Sequence, residues 1–159
     1  MEKPFSRERL TFRLDMLAKE SIDANDGIFQ HQLGLSIREV RALRIIHDHA
    51  GLTFVDLVQM ADLERTLTSR IIQSLIKQGL VRRENDENDA RKFRLYPTEA
   101  GSRKREAAGR LSEALEKLLV APLSPEELVQ LDDLLARLAV WVRARDYHDQ
   151  LATFSETES

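Results

Sequence analysis

The chain has 159 residues, a length suited to one compact domain with room for extra helices. Hydrophobic residues make up 42% and charged residues 32%, enough for both a core and a solvated surface, which excludes general disorder. There is no cysteine, which excludes a disulfide framework, a thiolate metal site and a thiol redox sensor, and the net charge is −3. That charge is unevenly spread. From Glu64 to Arg105 there are 11 basic and 6 acidic residues, a net of +5, against −8 in the remainder. Positive potential is therefore concentrated on one part of the molecule. Met1–Leu10 mixes charges and has no apolar run, so it is not read as a signal peptide, and no stretch has the length of a membrane span. Cytoplasmic localisation without a membrane partner is expected.

A first helix is predicted over about Ser6 to Asp23, with Leu10, Leu14 and Leu17 at helical spacing and Phe12 and Met16 beside them. Asn25-Asp26-Gly27 reads as a turn, and Ile28–Leu35 as a short helical piece or loop. Ser36-Ile37-Arg38-Glu39 is a capping box opening a helix with Ile37, Val40, Leu43 and Ile46 on one side, closed near Gly51. Thr53–Asp56 starts a short helix to about Met60, and Ala61-Asp62-Leu63 is a tight connection. The next helix runs from about Glu64 to Gln78 with Gly79 as its C-cap. Leu80–Glu84 and Phe93–Tyr96 read as two strands joined by the polar tip Asn85–Arg91. Pro97 must end the second strand because it cannot donate to a ladder. Thr98 caps a helix from Glu99 to about Val120. Ser124-Pro125-Glu126-Glu127 opens a last helix carrying Leu128, Leu131, Leu135, Leu138 and Val142, close to a heptad seam.

Two short helices, a tight turn, a third helix and a hairpin make a winged helix-turn-helix. The fold class expected is mainly α with a small two- or three-stranded β-wing and long helices at both termini. A helix fits the major groove of duplex DNA, and its first turns reach base edges. The candidate reading helix offers Arg65, Thr66, Ser69 and Arg70 there. Arginine can donate twice to a guanine edge or grip phosphate, and Ser or Thr does either more weakly. A merely solvated, well-capped helix face is an equal alternative for that segment alone.

Two passages then bear on the choice. Asp89-Ala90-Arg91-Lys92-Phe93-Arg94-Leu95 followed by Thr98-Glu99-Ala100-Gly101, and Leu75-Ile76-Lys77-Gln78-Gly79-Leu80-Val81-Arg82-Arg83, resemble the wing region of the MarR (multiple-antibiotic-resistance regulator) family. The resemblance, over about Ser6 to Arg145, implies a ligand-responsive repressor that binds a pseudo-palindromic operator as a homodimer. It makes Arg91 the minor-groove arginine and Asp89 the residue that steadies the wing, with Lys92 beside them. An ordinary charged turn is the plainer reading of those residues. The resemblance assigns residues 1–35 and 102–150 to dimerisation, 36–101 to DNA binding and 151–159 to a flexible tail. The dimer interface then includes Leu10, Leu14, Leu17, Leu131, Leu135, Leu138 and Val142. It also implies a pocket for a small aromatic or phenolic acid near Met16, Phe29, Arg44 and His47. Three departures are visible: Pro97 in place of a leucine, Thr68 in place of an apolar residue, and an acidic wing tip. A helical interaction adaptor with a winged-helix shape is the alternative that the acidic tip favours.

No catalytic residue, metal or cofactor is expected. Asp86-x-Asn88 lacks the glycine and terminal glutamate of a calcium loop. His47 and His49 point to different faces of their helix, and no phosphate loop, nucleophile elbow or zinc-binding His-Glu-x-x-His is present.

Overall fold

The computed structural model describes residues 8–86 and 92–156. Among them are seven helices and three strands: α1 (Leu10–Leu33), α2 (Ile37–Asp48), β1 (Leu52–Thr53), α3 (Phe54–Ala61), α4 (Arg65–Lys77), β2 (Val81–Asn85), β3 (Phe93–Pro97), α5 (Glu99–Leu119), α6 (Pro125–Arg143) and α7 (Arg145–Glu156). The chain divides into two compact units, Met1–Leu115 and Glu116–Ser159. No helix of the described residues is long and apolar enough to cross a membrane.

The turn expected at Asn25-Asp26-Gly27 does not form. Helix α1 passes through it and stops at Gly34, whose left-handed conformation (φ 67°) lets its N–H donate to Gln30 O at 2.9 Å. A glycine inside a helix costs about 1 kcal/mol. Burying one large apolar side chain returns about 1.5–3 kcal/mol. Continuing the helix places Phe29 against Ala108 and Leu115, with Ile28 and Leu33 packed at the edge of that cluster. Asp26 is not idle in this arrangement: its Oδ1 accepts from Ile37 N at 2.7 Å and so caps the start of α2.

The capping box at Ser36 and Glu39 forms as read, and a second, at Thr53 and Asp56, opens α3. Asp62 ends α3 in the left-handed region (φ 51°), which a short polar side chain tolerates. The main core gathers one face each of α2, α3 and α4 with the sheet, centred on Leu43, Ile46, Leu57, Leu75 and Leu95. The sheet is antiparallel in the order β1-β3-β2. Register pairs Val81 with Pro97 and Asn85 with Phe93, so β3 does end at Pro97. Asn85, read as part of the tip, closes β2. Strand β1 is two residues long and left no periodic signal.

In the second unit, α6 begins at the expected capping box of Ser124 and Glu127 with Pro125 in its first turn. Helix α7 was not anticipated: residues 151–156, read as tail, are helical. Local interactions account for it. Asp146 lies in its first turn, Arg145 pairs with Asp149 at 3.5 Å, and the Tyr147 ring meets Trp141 edge-on at 5.8 Å between centroids.

Candidate nucleic-acid interface

Helix α4 starts with Glu64 as N-cap, its carboxylate accepting from Thr66 N (3.1 Å) and Leu67 N (3.3 Å). The Thr66 hydroxyl first, then the backbone N–H groups of Thr66 and Leu67, hold the Glu64 carboxyl below the usual carboxylate range. The next turns expose Arg65, Thr66 and Arg70, and Ser69 is half-buried. The other side is locked inward by Ile71, Ile72, Leu75 and the fully buried Thr68. Thr68 fits among apolar neighbours because its Oγ1 donates to Glu64 O at 2.9 Å, leaving no unpaired donor. The Arg65 guanidinium stands 5.3 Å from the centroid of the Phe54 ring on α3, which fixes a flexible side chain at the helix start.

The hairpin of β2 and β3 adds a second basic surface. Arg82 lies 4.7 Å from the Tyr96 ring centroid, and Arg83 lies 5.9 Å from that of Phe93. Arg82 is also paired with Glu84. Sequence reasoning had passed over Arg82 and Arg83 as strand residues. The signal that finds them is the exposed, polar run that follows buried Val81 along β2. Lys92 is exposed at the start of β3. With Phe93 it lines a cavity of about 630 Å³ together with Thr53, Phe54, Val55, Asp56 and Ser69. The structure thus brings Ser69 of α4 and Lys92 of the wing to the walls of one cavity. Asp89 and Arg91 lie outside the described residues.

The Thr98 and Gly101 of the wing pattern have a clear structural task. Thr98 Oγ1 donates to Gly79 O at 2.7 Å and accepts from Gly101 N at 3.0 Å. Thr98 N donates to Leu80 O at 3.0 Å. One residue thereby joins the end of α4, the start of β2 and the start of α5. Gly101 allows this contact because a Cβ there would stand 2.0 Å from Leu80 O.

The residues expected to hold a small ligand are dispersed by comparison. Phe29 is buried in its cluster, Met16 is half-buried and Arg44 is exposed. His47 is half-buried, with Nδ1 3.3 Å from Asp48 Oδ1. A second cavity, of about 240 Å³, is lined by Ile22, Asp23, Asp26, Ser36, Ile37, Arg38, Leu67 and Ile71. Neither cavity is lined by any of the four. Leu10, Leu14, Leu17, Leu131, Leu135, Leu138 and Val142 are all exposed in the single chain. Among the described residues no cluster of three or more His, Asp or Glu side chains is placed to hold a metal.

A helix pair with a tight turn, α3 and α4, followed by the β2–β3 hairpin defines a winged helix-turn-helix protein. The family model described as "MarR family" matches residues 33–92, which run from the end of α1 to Lys92 in the wing. Over those residues the chain is similar to the MarR family. It is 29% identical over 122 residues to the HTH-type transcriptional regulator FarR of Neisseria gonorrhoeae, covering 77% of this chain and 84% of that one. The crystal structure of an S. aureus MepR–DNA complex superposes with a TM-score of 0.74 at 22% identity, covering 86% of this chain and 100% of the other. Bordetella bronchiseptica BpsR, whose DNA binding is regulated by 6-hydroxynicotinic acid, superposes with a TM-score of 0.68 at 21% identity, covering 80% of this chain and 98% of the other.

Proposed function

We propose that this chain is a sequence-specific DNA-binding transcriptional regulator of the cytoplasm, working as a homodimer and as a ligand-relieved repressor. The observation that carries the reading is the pair of basic surfaces on one compact unit: Arg65, Thr66 and Arg70 on the opening turns of α4, and Arg82, Arg83 and Lys92 on the wing. Arginines on a helix start suit base edges and phosphates, and a basic ribbon suits an adjacent groove. Residues 36–101 form the reading head in this proposal, with Asp89 and Arg91 completing the wing. Residues 1–35 and 102–150 carry dimerisation through the exposed leucines of α1 and α6. The names of MepR and FarR support the nucleic-acid part, and that of BpsR supports a small aromatic acid as effector. In the dimer we place that ligand near Met16, Arg44 and His47 over the packed ring of Phe29.

A two-fold protein reads a two-fold site, so selection from random duplexes should enrich an inverted repeat with halves about one helical turn apart, roughly 34 Å. Arg70→Ala should weaken binding to that site by about 1–3 kcal/mol while leaving the scrambled duplex little changed, if Arg70 reads a base. If it grips phosphate, both duplexes weaken and the salt slope flattens. Enrichment of no sequence, with equally weak binding of every duplex by the wild type, would replace this reading with the adaptor. For the effector, 6-hydroxynicotinic acid and related hydroxylated aromatic acids are titrated into the protein–operator complex. Absence of release across that panel would remove the ligand part alone.

A further inference from the structure

Arg94 lies in the middle strand of the sheet, in register with Glu84 on β2 and Thr53 on β1. Its guanidinium is used in two directions. Nε donates to Asp86 Oδ2 at 2.8 Å, and Nη1 donates to Gly51 O at 2.9 Å. Asp86 follows the last residue of β2, and its own N–H donates to Lys92 O at 3.0 Å, closing the stem of the hairpin. The Asp86 side chain is only 8% exposed, so its charge is largely withdrawn from water and Arg94 is one of the groups that stabilise it. Gly51 belongs to the loop between α2 and β1, at the far edge of the sheet from β2.

We propose that Arg94 is a positioning residue for nucleic-acid binding: a planar two-way link that fixes the wing stem against the α2–β1 loop, and so sets the angle of the wing to α4. The inference rests on the DNA-binding reading above. A two-stranded ribbon has little rigidity of its own, and β1 supplies only two residues of pairing. Arg94 adds a side-chain bridge across the same three elements. Guanidinium geometry suits the task because its donors point in fixed, divergent directions, whereas an ammonium is a single compact point. Through Gly51 O the Asp86–Arg94 link reaches the body of the reading head rather than solvent.

The test compares wild type, Arg94→Ala, Arg94→Lys, Asp86→Ala and the Arg94→Ala/Asp86→Ala double variant. Each is titrated against the selected operator and a scrambled duplex at several salt concentrations. Amide exchange of the wing stem is followed in the free proteins. Positioning predicts that Arg94→Ala and Asp86→Ala each weaken operator binding by roughly tenfold, the size of one lost charge-assisted hydrogen bond. The double variant is no worse than either single one, the salt slope stays that of wild type, and exchange at Asp86 N–H quickens. Arg94→Lys keeps the charge, and the fold where alanine does not, but fails to restore affinity. The Asp86 arm is decisive in sign. Removing a negative charge beside DNA tightens binding if only charge matters, but loosens it if Asp86 holds the wing through Arg94. A flattened salt slope for Arg94→Ala with tighter binding by Asp86→Ala would make Arg94 a phosphate contact and overturn the inference. Wild-type affinity in every variant would overturn it too, and leave the DNA reading standing. A wild type that enriches no site brings down both, and that arm is read first.

Discussion

Between Ile37 and Pro97 the large apolar side chains are buried or half-buried, with Val55 and Met60 the exposed exceptions. From Leu118 to Phe154 the balance reverses: α6 buries no residue at all, and Val140 and Phe154 are 71% and 74% exposed. The N-terminal half of α1 resembles the second region, with Leu10, Phe12, Leu14 and Leu17 open to solvent. The reading head therefore closes its core within one chain. Helix α6 has a strong local start but no burial, and the first half of α1 has neither, while helices in proteins draw most of their stability from packing an apolar face. Their apolar faces are stabilised only against another surface, which is the physical ground for reading them as a dimer seam.

Breaking that seam should produce the largest effect. Leu131→Glu with Leu138→Glu removes two leucines per chain, each worth about 1.5–3 kcal/mol when fully buried. The dimer dissociation constant should rise on the order of a hundredfold or more. Sedimentation of the variant as a dimer with unchanged affinity would show that the seam lies elsewhere. The head should keep its own fold in that variant, as read by protected amides in α2 and α4.

The head is best broken from inside. Gly101→Ala pushes a methyl against Leu80 O, and overpacking of this kind costs roughly 1–3 kcal/mol; urea unfolding measures it, and an unshifted midpoint would mean that α5 relaxes freely. Next in size is the link from α2 to α4, where Ser74 Oγ donates to Glu39 Oε1 at 2.5 Å. Ser74→Ala should cost about 1 kcal/mol, and a more stable variant would contradict the part given to that bond. The smallest expected effect is on pH. Asp56 has its pKa lowered chiefly by the backbone bond from Thr53, then by the Thr53 hydroxyl and the field of Arg94. A carboxyl lowered on folding contributes stability above its unfolded value, near 4, which is lost as pH falls through the folded value. Asp56 is exposed, so screening keeps this below about 1 kcal/mol. Asp56→Asn should flatten the acid limb of the stability profile. An unchanged limb would show that Asp56 carries none of it.

Legibility followed the range of the interactions. The starts of α2 and α6 could be read because a capping box is complete within four residues, and the body of α4 because its apolar stripe and Gly79 are local. The helical path through Asn25-Asp26-Gly27 was hidden because Phe29 meets Ala108 and Leu115, far along the chain. For the site, the exposed residues of α4 and Lys92 were readable from position. The Arg94 link to Asp86 and Gly51 was not, since it joins residues 8 and 43 positions away. Likewise β1 became a strand only by pairing with β3.

Glu39 divides its carboxylate between two loyalties. Oε2 serves the N-cap of its own helix by accepting from Ser36 N at 2.8 Å, while Oε1 accepts from Ser74 on α4. On the other side of the same helix start, Asp26 of α1 holds Ile37 N. Three helices thus meet at one turn of backbone through short, directional bonds, like teeth of a gear train with little slack. A run of hydrogen bonds joins α1 at Asp26 to α4 at Ser74 through the first turn of α2. Thermodynamic linkage makes the traffic two-way: whatever grips α4 more firmly in one setting of that train also favours the same setting of α1, by the same free energy.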